Sequence, residues 1–352
     1  MSGGNLFAYS ALTTKIKAMQ SNLLTDAQFE EIAHCPTVAS VFAYLQKTEG
    51  YDQLFADIDP DTVHRGQIEW LLNFSTYEDF SKIFHFAQKH QRKYLSLYFM
   101  RYEILNLKRY MRSVLDPRQS TGVSIVENDF EKHSRINTKK VAESTDMYEF
   151  AENLKGTIYY EPFAKINNTL ENPSLFDYEM ALDLFYFSTL WDKKDKLFEK
   201  SERQFITSSY GSRIDLLNLL WIYRCKSYYT VSNTAMYTFI IPINYKLRKS
   251  EIKALVEAET AAEVLEIAST TYYGKKYHFS TDTALEEQCN SIIDGIIAKD
   301  YKRSPYSLAA INAYFHLKNG ESAKIITALE CIRYGYPPER VLQYVKGKGS
   351  GV

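Results

Sequence analysis

Glycine and proline are scarce in this chain, at 14 and 9 among 352 residues. So few helix breakers argue against a turn-rich β protein and for long, uninterrupted helices. Cysteine is equally sparse. Cys35, Cys225, Cys289 and Cys331 form no C-x-x-C pair and no dense framework, which excludes a disulfide scaffold and fits reduced thiols in a cytosolic protein. Charge of either sign hardly dominates: the net value is −1, so no global field draws the chain to nucleic acid or to an anionic membrane. Long apolar runs are missing too. The most apolar stretch, Tyr237–Ile243, is broken by Pro242 and falls far short of the roughly 20 residues that cross a bilayer. The start, Met1-Ser-Gly-Gly-Asn5, carries no charged region followed by an apolar one, so no secretory segment is expected.

The common signatures of chemistry are absent as well. There is no G-x-x-x-x-G-K-[ST] loop, no G-x-G-x-x-G after a strand, no H-E-x-x-H and no G-x-S-x-G. The tail Gly347-Lys-Gly-Ser-Gly351 resembles a phosphate loop only superficially, since no helix follows to hold a phosphate at its N-terminus. His85 and His90 are five apart and fall on different faces of a helix, and His34 beside Cys35 gives two soft ligands without a third. Asp192 and Asp195 are neutralised by the lysines between them, as a solvated helix face would be. No catalytic residue, cofactor or metal is therefore expected.

What the chain does have is aromatic residues, 14% of the total and led by 28 Tyr, and a pattern that returns. Tyr98–Tyr110 places Glu103 and Asn106 three apart, on one side of a helix. The pair comes back as Asp215 and Asn218, then as Glu321 and Lys324, the last keeping the acid and replacing the amide. A second template agrees with the first: Leu45-x-x-Thr48-x-x-Tyr51, Leu154-x-x-Thr157-x-x-Tyr160 and Ile267-x-x-Thr270-x-x-Tyr273. The threonines are 109 and 113 residues apart and the acids 112 and 106. This predicts one helical unit of roughly 110 residues present three times. The expected organisation is unit 1 over 1–117, a linker over 118–135, unit 2 over 136–230 and unit 3 over 231–352. Recurrence favours structural contact, with partner contact as the alternative, over catalysis for the acid pairs, because a helix-to-helix contact is needed in every copy and a reaction centre once. Lys108, Arg109 and Arg112 make a basic stripe with Tyr102 and Tyr110, plainest as cations near a helix C-terminus.

Local signals place the elements. Leu12, Ile16, Met19 and Leu23 open with an amphipathic helix, and Thr25-Asp-Ala-Gln28 has the form of a capping box. A helix starting at Pro36-Thr37 should stop near Gly50. Pro60 begins a pair of long helices reaching Leu115, bent near Asn73–Ser75 or Lys89–Gln91. In unit 2, breaks are expected at Gly156, at Glu161-Pro162 and at Asn172-Pro173-Ser174. Val231–Asn244 is expected as a connection with a short strand-like piece around Ile240, Ile241 and Ile243. Unit 3 should hold helices near 251–257, 261–270, 282–302, 305–317 and 321–334, then a terminal helix after Pro337-Pro338 and a frayed end over 347–352.

Taken together, the Tyr9–Leu24 helix running into Thr25, Leu45-x-x-Thr48-x-x-Tyr51, Tyr102-Glu103-x-x-Asn106-Leu107-Lys108, and Pro305 leading to Tyr314 and Glu321 make the chain resemble a known family. It is the family of the central-stalk C subunit of bacterial and archaeal V/A-type ATPases, whose counterpart in the eukaryotic vacuolar enzyme is the d subunit. The resemblance covers nearly the whole chain. It departs at Ile241-Pro242-Ile243-Asn244, where a Pro-Gly-Gly-like turn is usual, and at Lys324, where asparagine is. The resemblance implies an all-α fold of three similar units around a pseudo-threefold axis, shaped as a funnel or cone. It also implies a non-catalytic rotor adapter, cytoplasmic and peripheral to the membrane. Its partners would be the D and F subunits of the shaft at one end and the membrane proteolipid ring at the other. Two readings of other classes compete: a general α-helical repeat scaffold of the solenoid kind, and an all-α enzyme with convergent ionisable groups in a pocket.

Overall fold

The computed structural model describes residues 3–56, 58–60, 62–63, 65–115, 133–229, 231–280 and 283–347. Among them are eighteen helices and no strand. After α1 (Gly3–Gln20) come three short helices, α2 (Asp26–Ala33), α3 (Val38–Leu45) and α4 (Asp52–Phe55), then two long ones, α5 (Arg65–Phe86) and α6 (Lys89–Leu115). The same order follows in α7 (Thr138–Ala142), α8 (Met147–Asn153), α9 (Tyr160–Thr169), α10 (Leu175–Leu197) and α11 (Lys200–Tyr228). Beyond α12 (Asn233–Phe239) it follows again in α13 (Lys249–Glu257), α14 (Ala261–Thr270), α15 (Tyr272–Tyr277), α16 (Leu285–Arg303) and α17 (Leu308–Arg333), and α18 (Pro338–Gly347) closes the series.

Capping chemistry sets many of these starts. Thr25 with Gln28, Thr37 with Ser40 and Ser174 with Asp177 form capping boxes, each satisfying N–H groups that the first turn leaves free. The six long helices pack in sequence: α5 on α6, α6 on α10, α10 on α11, α11 on α16, α16 on α17, and α17 back on α5. The ring therefore closes. Closure is apolar as well as topological, because one core combines Phe29, Phe42, Leu45, Tyr51 and Phe55 from the first short helices with Ile325, Leu329, Ile332, Val341 and Val345 from the last two helices. Two further cores fill the rest, one under α5, α6, α10 and α11 and one under α11 to α16.

Several expectations about elements need correction. Val231–Asn244 contains no strand: Ser232 caps α12 through its hydroxyl, and 240–244 is irregular, bent at Ile240 and Pro242 with the Ile243 N–H donating to the Ile241 carbonyl (2.8 Å). Leu308–Arg333 is one helix where two were expected, because Gly320 is buried and tertiary packing outweighs the roughly 1 kcal/mol that glycine costs in a helix. Pro162 does not break the chain but sits in the first turn of α9, where a missing N–H is harmless. Pro60 lies in a turn, and α5 begins only at Arg65. The long pair α5 and α6 is interrupted at Ala87–Gln88, close to the second site foreseen. Two short helices, α4 and α15, were not anticipated. Most of the expected linker and most of the expected frayed end lie outside the described residues.

Candidate functional site

The three acids singled out by recurrence each sit within a second long helix, and each is buried: Glu103 in α6, Asp215 in α11 and Glu321 in α17, at 6, 0 and 5% exposure. Burying a carboxylate is costly unless donors surround it. Glu103 accepts from the Tyr159 hydroxyl (2.7 Å), the Ser134 hydroxyl (2.7 Å) and the Arg135 N–H (3.2 Å). Asp215 accepts from the Tyr273 hydroxyl (3.0 Å) and from the N–H groups of Tyr245 (3.1 Å), Lys246 (2.6 Å) and Leu247 (3.0 Å). Glu321 accepts from the Tyr51 hydroxyl (2.6 Å), the Lys318 ammonium (3.0 Å) and the Leu24 N–H. Every acid thus holds the segment leading into a set of short helices and one tyrosine from that set.

The order of these clasps is cyclic. Glu103 takes the tyrosine 56 residues later, Asp215 the one 58 residues later, and Glu321 reaches back 270 residues to Tyr51. The second tyrosine is Tyr159 where the motif pointed to Tyr160, whose hydroxyl instead donates to Glu152. In the third copy the buried threonine is Thr271, bonded to the Ala268 carbonyl, while Thr270 is exposed. The matching frames are therefore Leu154-x-x-Thr157-x-Tyr159 and Ala268-x-x-Thr271-x-Tyr273. Adjacent Tyr159-Tyr160, Thr270-Thr271 and Tyr272-Tyr273 pairs make a one-residue slip invisible in sequence. In the first copy Gly50, at φ +90°, carries the additional residue.

The partners of the acids differ from copy to copy. Asn218 holds the backbone of Ile241 from both sides, its Nδ2 donating to the carbonyl (3.0 Å) and its Oδ1 accepting from the N–H (2.9 Å). Asn106 is half-buried and makes no hydrogen bond among the described residues, and the Lys324 ammonium lies 5.6 Å from the Phe29 ring centroid. Gly211, one turn before Asp215, packs against the Tyr245 ring so tightly that a Cβ there would come within 2.6 Å of it. That close approach accompanies the Tyr245 N–H bonded to Asp215. The basic stripe of α6 serves packing: Lys108 meets Asp183 (2.6 Å), Arg112 meets Glu179 (2.6 Å), and both acids belong to α10. Arg109 lies with its guanidinium 5.5 Å from the Tyr110 ring centroid.

Burial raises the carboxyls of Glu103 and Asp215 above the ordinary range, and the donors around each oppose the rise without cancelling it. Burial also lifts Tyr51, Tyr159 and Tyr273 far above the usual phenol range, with the facing carboxylate adding to it. The hydroxyls stay protonated and donate. Three or four donors meet each acid, so the arrangement clamps chain segments together.

Comparison with known proteins matches nearly the whole chain. The family model described as ATP synthase (C/AC39) subunit matches residues 12–344. The chain belongs to that family. The A-type ATP synthase C subunit of Thermococcus kodakarensis is 22% identical over 96% of this chain and 90% of its own length, and that of Pyrococcus abyssi is 23% identical over the same shares. The C subunit of Desulfurococcus sp. strain SY is 22% identical over 95% of this chain and 89% of its own. At such identity the shared length carries more weight than any single side chain.

Within this C/AC39-family chain, the structure adds groups that the sequence did not flag. Tyr94, Tyr210 and Asn312 meet where α6, α11 and α17 converge, with Tyr94 3.0 Å from Tyr210 and 3.1 Å from Asn312, which also donates to Ser209. Their positions stand nine or five residues before an acid, a signal visible only once the acids are aligned. Lys318 was missed too, since the corresponding positions are Met100 and Ser212. Among the described residues no helix is long and apolar enough to cross a membrane, and no group of three His, Cys, Asp or Glu side chains could hold a metal ion.

Proposed function

We propose that this chain is a non-catalytic rotor adapter of a V/A-type ATPase. In this reading three similar helical units, 1–117, 136–230 and 231–352, surround a pseudo-threefold axis. They form a collar between the central shaft, made of the D and F subunits, and the membrane proteolipid ring. Torque passed through the collar couples ATP hydrolysis or synthesis to H⁺ or Na⁺ transport, while the chemistry belongs to other subunits. The observation that carries the reading is the cyclic series of clasps, Glu103 to Tyr159, Asp215 to Tyr273 and Glu321 to Tyr51, in a chain of the ATP synthase (C/AC39) family. An element under torque must resist shear at every seam, and buried charge-assisted hydrogen bonds of about 1.5–3 kcal/mol each suit that task.

An open solenoid scaffold would keep its terminal units apart, yet α17 packs on α5 and α18 on α2. The adapter reading is tested by stripping this chain from the assembled complex and adding it back. Ion transport should uncouple from ATP turnover on removal and recouple on return. Coupling that persists without the chain would overturn the reading.

A further inference from the structure

The seam between α11 and α16 is zipped at one end and open at the other. Arg224 meets Glu286 (2.5 Å), Ser208 donates to Asp300 (2.7 Å) and Arg303 to Gln204 (3.1 Å), so the two helices run antiparallel. Where the last two pairs lie, a cleft of about 1080 Å³ follows the seam, lined by α11 from Lys200 to Ser212 and by α16 from Gly295 to Arg303. At about 1.5 Å per residue the α11 wall is roughly 18 Å long, the length of a chain segment and not of a small ion. Phe205, Ile296, Tyr277 and Tyr306 give the cleft apolar and aromatic surface.

Its charges are unevenly answered, with five cations against three acids. All three acids are engaged within the chain: Glu202 accepts from Tyr9, Asp300 from Ser208, and Asp195 from Lys194 (2.8 Å) with Arg203 at 3.5 Å. The other four cations have no acidic partner among the described residues. Arg303 reaches the Gln204 amide oxygen, Lys276 donates to the Tyr272 hydroxyl (2.9 Å), and Lys200 and Lys299 form no ion pair. These cations are strung along both walls. Such spacing suits a linear run of carboxylates better than one compact anion, which needs its donors converged on a point.

Gly295 points the same way. Glycine is a poor helix former, yet it stands inside α16, and a Cβ there would meet nothing within 4 Å. Packing within the described chain therefore gives no reason for it, whereas the backbone of a bound segment could pass close over it.

We propose that the cleft between α11 and α16 docks an acidic segment of another subunit, laid along α11 and crossing Gly295. Its occupant is sought among the neighbours that the adapter reading gives the chain, and in that respect rests on that reading.

The test uses the full chain, its K299E/R303E variant and Gly295→Leu. A labelled synthetic peptide of alternating glutamate and alanine is titrated onto each, with a lysine–alanine peptide as control. The wild-type chain should bind the acidic peptide and not the basic one. Both variants should bind it at least about tenfold more weakly, a loss of roughly 1.4 kcal/mol, and Gly295→Leu should melt no lower than the wild type. Should K299E/R303E fail to fold, K299Q/R303Q removes the charge without reversing it, and the same loss is expected in reduced measure. No binding, or binding that both variants keep, overturns the proposal. Tripolyphosphate bound as tightly as the peptide, with Gly295→Leu leaving both unchanged, marks a site for a compact anion and overturns it as well. In parallel, a chain with a photoreactive benzophenone residue in place of Tyr306 is added back to the stripped complex and illuminated. An adduct on a segment rich in aspartate and glutamate is expected, and a chain that rejoins the complex without one sinks the docking. A chain that binds the peptide but never rejoins the complex sinks the adapter reading and leaves the cleft standing.

Discussion

Two of the three clasps join stretches that follow one another along the chain, and the third joins its ends. The Glu103 and Asp215 seams span 56 and 58 residues, whereas the Glu321 seam spans 270. Each doubling of a closed loop costs about 0.6 kcal/mol, so the long closure is penalised by roughly 1.4 kcal/mol relative to the short ones. The closing seam carries the two features the others lack. One is the buried Lys318–Glu321 pair, with side chains 5 and 4% exposed, and the other is an apolar core drawn from both ends of the chain. A buried ion pair contributes little net stability, but it penalises a wrong or missing partner heavily. The comparison teaches that a seam without chain continuity is held by apolar burial and made selective by charge.

The largest test of that contrast is Glu321→Ala. It strands a buried ammonium and should cost about 3–5 kcal/mol, whereas Glu103→Ala strands only neutral donors and should cost less. Urea unfolding of both variants measures the gap, and limited proteolysis should show the short helices α2 to α4 released first at the closing seam. Equal losses would mean that the ends are no different from the continuous seams.

Smaller and more even effects are expected from the tyrosines. Tyr51→Phe, Tyr159→Phe and Tyr273→Phe each remove one charge-assisted hydrogen bond and should each lower stability by about 1.5–3 kcal/mol. Tyr160→Phe and Tyr272→Phe, at the neighbouring positions, should leave unfolding nearly unchanged. A larger loss at Tyr160 than at Tyr159 would restore the register that sequence alone suggested.

The least effect is expected from pH. The carboxyls of Glu103 and Asp215 are raised in the folded chain, so folding favours their protonated forms. Their contribution is therefore fully present below the unfolded value near pH 4 and is lost as pH rises through the folded value. Stability of the wild-type chain relative to a Glu103→Gln/Asp215→Asn variant should fall as pH rises from about 4 in urea titrations. A difference that rises over this range would show that the donors around these acids outweigh burial.

Much of this was legible beforehand. Scarce glycine and proline, capping boxes at Thr25 and Thr37, and helical apolar spacing fixed the helical class and several boundaries, because those signals act within a few residues of one another. Recurrence located all three acids for the same reason, since a buried carboxylate leaves its mark in a helix. Partner choice was not local. Whether Tyr159 or Tyr160 turns inward depends on where α6 stands, and Asn233–Phe239 forms a capped helix within a stretch expected as a connection.

By itself, then, the sequence determined that the chain is helical, that its pattern returns at intervals of roughly 110 residues, and which acids the pattern turns on. Only the tertiary structure decided that Glu321 meets Tyr51 and that Lys318 bonds to both. Those contacts join residues far apart along the chain. Helix propensity and capping carry no information about them, and only the closing of the helical ring brings them together.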